Sequence, residues 1–133
     1  MKARFADTFY YLAVLNPNDA AHRRAVELRR SAGGPTVTTA WVLTEAANSL
    51  AGPGLRGLFL RLFDQLEADQ SVTVVPAAEA LFDRGVAFYR SRPDKEWSLT
   101  DCISFVVMKE RGIDEALTED HHFEQAGFKA LLA

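Results

Sequence analysis

The chain has 133 residues, 48% hydrophobic and 25% charged, the balance of one globular domain with a real core. Eighteen acidic residues against fifteen basic ones give a net charge of −3, which argues against a simple basic nucleic-acid-binding surface. A single cysteine excludes an internal disulfide framework and suits a reducing cytoplasm, and no apolar run is long enough to cross a bilayer.

Arg4 to Asp7 reads as a short strand and Thr8 to Leu15 as an aromatic-rich helix, with Asp7-Thr8 at the junction. The basic-then-apolar opening faintly mimics a signal peptide, but Asp7 interrupts it and no small-residue cleavage site follows. Asn16-Pro17-Asn18-Asp19 is a turn and helix-start signal. The helix after it, to about Ser31, carries Arg23, Arg24, Arg29 and Arg30, with Ala25, Val26 and Leu28 inside. Gly33-Gly34-Pro35 breaks the chain, and Thr36 to Thr38 is a second strand. In the helix from about Thr39 to Leu50, Val42, Leu43, Ala46, Ala47 and Leu50 recur at helical spacing, while Trp41, Glu45 and Asn48 share another face. Gly52-Pro53-Gly54 ends it. Leu55 to Ala68 is amphipathic, with Arg56 and Arg61 outside.

Val72 to Val75 is a third strand, and Pro76 starts a helix to about Arg90, with Leu81, Phe82, Val86 and Phe88 as core candidates. In the stretch from Asp94 to Met108, Ser98 is a good N-cap and Asp101 follows at capping-box spacing. The helix there is apolar on nearly every side, so it is expected to be buried. Gly112 ends it, Glu115 to Thr118 is a fourth strand, and Asp120-His121-His122-Phe123 opens a short helical turn. Phe128 to Leu132 reads as a last edge strand. Strands alternating with helices predict right-handed βαβ units: an α/β domain over residues 1–133, with a parallel sheet of four to five strands flanked by helices.

In such a sheet, ligands bind at the carboxyl ends of the strands, near a switch in strand order. Asp7 ends the first strand, Asp120 follows the fourth, Asp101 opens a buried helix and Glu45 lies on the helix after the second strand. The topology lets all four reach one cleft. Clustered carboxylates repel, and hard oxygen donors suit Mg²⁺ or Mn²⁺. An ion bridging carboxylates and a phosphodiester activates water and stabilises the departing oxygen, while Arg23, Arg24, Arg29, Arg30, Arg56 and Arg61 are candidates to hold an RNA backbone.

Each residue also has a plainer reading. Asp7, Asp101 and Asp120 sit where helix caps sit. Glu45, mid-helix, is explained by no cap, although an exposed helix edge would account for it. Asn48 and Thr100 line the cleft or are ordinary polar positions. Adjacent His121 and His122 point in different directions and lack a zinc-spaced partner set, so His122 reads as a structural hydrogen-bonding residue and His121 as exposed. Trp97 reads as a loop anchor and Cys102 as core, with a Cys–His nucleophile pair the weaker alternative.

Asp7-Thr8 after the first strand, TTAWVLTEAANSL around Glu45, DKEWSLTDCISF around Asp101 and LTEDHHFEQAGF around Asp120 resemble the motifs of PIN-domain ribonucleases, closest to the VapC-type toxins of toxin–antitoxin pairs. The resemblance runs from Phe5 to about Leu131 and implies a three-layer α/β/α fold. Asp7, Glu45, Asp101 and Asp120 match the family's acidic positions, and Thr100 its hydroxyl beside the third one. It implies a Mg²⁺- or Mn²⁺-dependent cytoplasmic endoribonuclease leaving 5′-phosphate and 3′-hydroxyl ends, often a homodimer, often silenced by an antitoxin protein. Two rivals stay open. One is a PIN-like domain that binds RNA or protein without cutting. The other is a Mg²⁺-dependent phosphoacceptor signalling domain, for which Asp7 lacks an acidic neighbour and Lys129 lies past the site.

Overall fold

Short strands, each followed by helix, build this protein. The computed structural model describes residues 2–31 and 34–133. In chain order the elements are β1 (Arg4–Ala6), α1 (Thr8–Leu15), α2 (His22–Ser31), β2 (Thr36–Thr39), α3 (Ala40–Ser49), α4 (Arg56–Ala68), β3 (Val72–Val75), α5 (Glu79–Ser91), α6 (Leu99–Glu110), β4 (Glu115–Leu117), α7 (His121–Gln125) and β5 (Lys129–Ala130). The strands form one parallel sheet in the order β3-β2-β1-β4-β5. Phe5 of the central β1 pairs with Val37 of β2 on one side and Ala116 of β4 on the other.

The path moves outward from β1 to β2 and β3, then returns to β4 and β5 on the far side. Right-handed crossovers therefore place α1 to α4 on one face and α5 to α7 on the other. The helices pack in those two groups: α1 against α2 and α3, α3 against α4, and α6 against α5 and α7. The order reverses between β1 and β4, so the crevice beyond their carboxyl ends is where an open sheet takes a ligand.

On the second face, Phe105 of α6 is fully buried and meets Phe123, Trp97 and Phe88 edge-on, with centroids 4.9, 5.1 and 6.4 Å away; Phe128 lies at 5.7 Å. Gly85 lets α5 approach α6 closely, because a Cβ there would collide with the Ile103 side chain. The buried character predicted for α6 holds: Asp101, Cys102, Ile103, Ser104, Phe105, Val107 and Met108 are all buried.

Four local expectations are corrected. Pro76 does not open α5. Pro76 and Ala77 lie outside any helix, the Ala78 N–H closes a tight turn onto the Pro76 carbonyl at 2.9 Å, and the helix begins at Glu79. Phe82 is 40% exposed rather than core. Its neighbour Leu81 takes the inward position, and Phe82 stacks on Trp41 of α3 at 6.5 Å. The last strand is only Lys129–Ala130, because the Phe128 N–H is spent closing α7 onto Phe123 and the chain turns after Ala130. Asp7 and Thr118 lie just beyond the ends of β1 and β4, respectively. Of the predicted break at Gly33-Gly34-Pro35, Gly33 lies outside the described residues.

Candidate active site

Asp7 stands at the N-cap position of α1, but its side chain makes no cap hydrogen bond. Instead its Oδ2 accepts from the Thr118 hydroxyl at 2.9 Å across the β1–β4 crevice. That hydroxyl in turn accepts from the Asp120 N–H at 3.1 Å, so one buried threonine fixes both carboxylate-bearing segments. Asp120 caps α7 by accepting from the His122 N–H at 2.9 Å. His122 Nδ1 faces Asp101 Oδ2 at 3.3 Å, and Asp101 completes a reciprocal capping box with Ser98. The capping roles read for Asp101 and Asp120 are thus real. They orient the carboxylates at the crevice without excluding a second use.

Glu45 is exposed, on the α3 surface, and its Oε1 accepts from the Thr8 hydroxyl at 2.6 Å. Thr8 follows Asp7 directly, so this bond ties Glu45 to the same corner. Thr100 is half-buried in the first turn of α6. Asn48, one turn beyond Glu45, is exposed and lines a hollow with Arg56, Phe59 and Leu60. Arg23, Arg24, Arg56 and Arg61 are all exposed, Arg24 loosely paired with Glu27 at 3.9 Å. Arg29 lies elsewhere. With Arg4, Thr36 and Val72 it lines a cavity of about 220 Å³ at the starting ends of the strands.

The electrostatics of the corner are unusual. Asp7 is 3% exposed. Burial pushes its carboxyl up to about 7; the Thr8 N–H and Thr118 hydroxyl pull the other way, while the charges of Asp101 and Glu45 add to the rise. Asp101 is also raised, first by burial, against the Ser98 N–H, with Asp120's charge adding and His122 opposing. Among the described residues, no lysine or arginine forms an ion pair with Asp7, Glu45, Asp101 or Asp120; the cation-capable partners are His121 and His122. Buried carboxylates without a cation are costly unless a metal or a proton neutralises them. An all-oxygen donor set of this kind fits a hard divalent ion.

Among the described residues, no three of the four carboxylates bring their oxygens within 4.8 Å of one another. Among the described residues, the set of metal-capable groups whose ligand atoms all lie within 4.8 Å of one another is Asp120, His121 and His122. The histidines therefore do not diverge as expected: their ring centroids are 4.5 Å apart, and both Nδ1 atoms approach Asp120 Oδ1. His121 is exposed and His122 is a hydrogen-bonding residue, as read from the sequence. Trp97 is buried and anchors its loop by donating from Nε1 to Gln125 at 3.0 Å. Cys102 is buried, and burial together with Asp101 pushes its thiol up to about 11, which disfavours the nucleophile alternative. Sequence reasoning missed the role of Thr118. Its signal was a polar residue ending an apolar strand two places before Asp120.

A family model described as the PIN domain matches residues 5–129. The 23S rRNA-specific endonuclease VapC20 of Mycobacterium tuberculosis is 30% identical over 125 residues, covering 93% of this chain and 94% of that protein. The crystal structure of M. tuberculosis VapC20, described as a Sarcin-Ricin loop cleaving toxin, superposes with a TM-score of 0.84 and 27% identity over 93% of this chain and 95% of that one. FitAcB from Neisseria gonorrhoeae superposes with a TM-score of 0.65 and 18% identity over 95% of this chain and 94% of that one, a likeness of fold alone.

Proposed function

The chain belongs to the PIN-domain family and is of the VapC type, and from that premise we propose that it is a metal-dependent endoribonuclease, the toxin of a toxin–antitoxin pair. The observation that carries the chemistry is the crevice of buried Asp7 and Asp101 and half-buried Asp120, with Glu45 held at its edge by Thr8 and with no lysine or arginine among the described residues paired to any of them. Asp7, Asp101 and Asp120 would hold Mg²⁺ or Mn²⁺ directly or through water, and Glu45 would take a water ligand or a second ion. A bound divalent ion supplies Lewis-acid stabilisation of the charge that develops on the phosphate. The chain's own contribution is placement. Thr118 fixes the distance between the Asp7 and Asp120 segments, the Ser98 capping box and His122 hold Asp101, and Thr100 lies beside it.

Arg23, Arg24, Arg56 and Arg61 are proposed contacts to the RNA backbone, and Arg56 shares its hollow with Asn48, next to Glu45 along α3. VapC20's cleavage of 23S rRNA makes ribosomal RNA the first substrate to try. An antitoxin partner is supported by exposed apolar side chains: Phe9 follows Thr8, Leu60 lines the hollow of Asn48 and Arg56, and Leu55 lines a second hollow with Leu12, Leu15, Leu50 and Leu58. Homodimerisation and a cytoplasmic location belong to the same reading. No helix among the described residues is long and apolar enough to cross a membrane.

The phosphoacceptor reading loses ground, because Lys129 pairs with Glu115 at the starting end of β4, away from the carboxylates. Incubation of purified protein with ribosomal RNA in Mg²⁺, Mn²⁺ or EDTA, beside Asp101→Asn, tests the proposal. Metal-dependent cleavage, reduced in the variant by more than about 100-fold, is expected. RNA retained but uncut by folded, inhibitor-free protein would favour the non-catalytic binding reading instead.

A further inference from the structure

Beside the hard-ion corner lies a group of donors with a different chemical preference. Asp120 Oδ1 is 3.4 Å from His122 Nδ1 and 3.8 Å from His121 Nδ1. Two bonds of about 2.0–2.1 Å set at a tetrahedral angle hold their donor atoms roughly 3.4 Å apart. Both separations from Asp120 therefore stand near what a four-coordinate ion requires, and the ligand atoms of all three residues lie within 4.8 Å of one another. Asp101 Oδ2, 3.3 Å from His122 Nδ1, is near enough to supply a further oxygen. An open hollow bounded by Asp94, Lys95, Glu96, His121, His122 and Gln125, two carboxylates against one lysine, gives an ion access from solvent. His121 is mostly exposed, so its ring turns onto an ion at little packing cost.

Two imidazole nitrogens and one carboxylate are a poor set for Mg²⁺, which takes oxygen ligands and keeps its waters. They suit Zn²⁺ and similar borderline ions. We propose that Asp120, His121 and His122 form a rim site for a borderline transition-metal ion such as Zn²⁺, and that filling it inhibits the enzyme by engaging the Asp120 carboxylate that the crevice would otherwise use. Only the inhibition rests on the endoribonuclease reading. The binding does not.

The test titrates ZnCl₂ calorimetrically into metal-free wild-type protein and into His121→Ala at neutral pH, with circular dichroism to confirm the fold. One Zn²⁺ per chain is expected in the wild type, bound roughly tenfold or more weakly by the variant, since loss of even a supporting partner of a metal ligand has effects of that order. In parallel, Mg²⁺-supported RNA cleavage is followed as Zn²⁺ is added. His121→Ala should cleave as the wild type does without Zn²⁺ and resist Zn²⁺ at concentrations that silence the wild type. Equal Zn²⁺ affinity in both proteins, or none in the wild type, overturns the site. Equal inhibition of both by Zn²⁺ overturns the regulatory step. If neither protein cuts RNA yet the affinities differ as expected, the endoribonuclease reading fails while the rim site stands.

Discussion

One turn of α6 separates Asp101 from Phe105, and the two residues belong to opposite physical regimes. Phe105 is surrounded by Phe88, Trp97, Phe123 and Phe128 in edge-on and tilted contacts, so its neighbourhood stabilises the fold. Asp101 shares its crevice with Asp7 and Asp120, carboxylates that burial drives toward protonation or that add repulsion. Phe123, three residues after Asp120, and Phe105, four after Asp101, tie both carboxylate-bearing helix starts to the same aromatic cluster. The arrangement teaches that the stabilising cluster positions groups which on their own oppose folding, the pattern expected of a site assembled for chemistry.

That contrast is broken most forcefully from its stable side. Phe105→Ala removes the centre of the cluster and should cost about 3–5 kcal/mol, read as a drop in the denaturation midpoint. It should also loosen metal binding, because α6 and α7 lose their common anchor. An unchanged midpoint would show that the cluster does not hold the helices.

The carboxylate side predicts a pH dependence of unusual sign. The folded-state value for Asp7 lies near 7, above its ordinary value of 3.8, so between those limits the folded protein holds a proton that the unfolded chain has released. Stability of the metal-free protein should therefore fall as pH rises from about 4 toward 7, and Asp101 acts in the same direction. A shift of that size corresponds to about 4 kcal/mol for Asp7 alone as an upper figure. Melting curves in EDTA from pH 4 to 8 measure it, and a profile that climbs over this range is incompatible with the assignment.

The smallest effect concerns Thr118. Thr118→Val keeps the volume but removes the hydroxyl that donates to Asp7 and accepts from Asp120. It should cost roughly 1–3 kcal/mol through the unpaired buried groups. It should also lower RNA cleavage, with Thr118→Ser restoring much of both. Loss of stability with full cleavage would make Thr118 structural only.

The parallel sheet and nearly every helix were legible because apolar periodicity and Gly/Pro punctuation agree along this chain. What escaped was set by tertiary partners. Phe82 looked like core by type, yet Trp41 from another helix offers it a half-exposed stacking surface. Pro76 looked like a helix start, but the backbone closes a turn there first. Asp7, Asp101 and Asp120 were readable as candidates from their places at strand and helix ends, and Glu45 from its place mid-helix among apolar residues. Their hydrogen-bond partners were not, since Thr118 and Asp7 are 111 residues apart in sequence. The convergence of His121 and His122 on one oxygen depends on side-chain rotation, which adjacency in sequence does not determine.

On the proposed function, the crevice is held in an electrostatically unfavourable state which a divalent ion relieves. Thermal unfolding of wild-type protein and Asp7→Asn at pH 7.5, each in EDTA and in Mg²⁺ or Mn²⁺, tests it most directly. Asp7→Asn is expected to melt higher than wild type in EDTA, by roughly 1–3 kcal/mol of stability, and the ion to raise the wild type but barely move the variant. A variant less stable than the wild type in EDTA, together with a wild type indifferent to the ion, would contradict it.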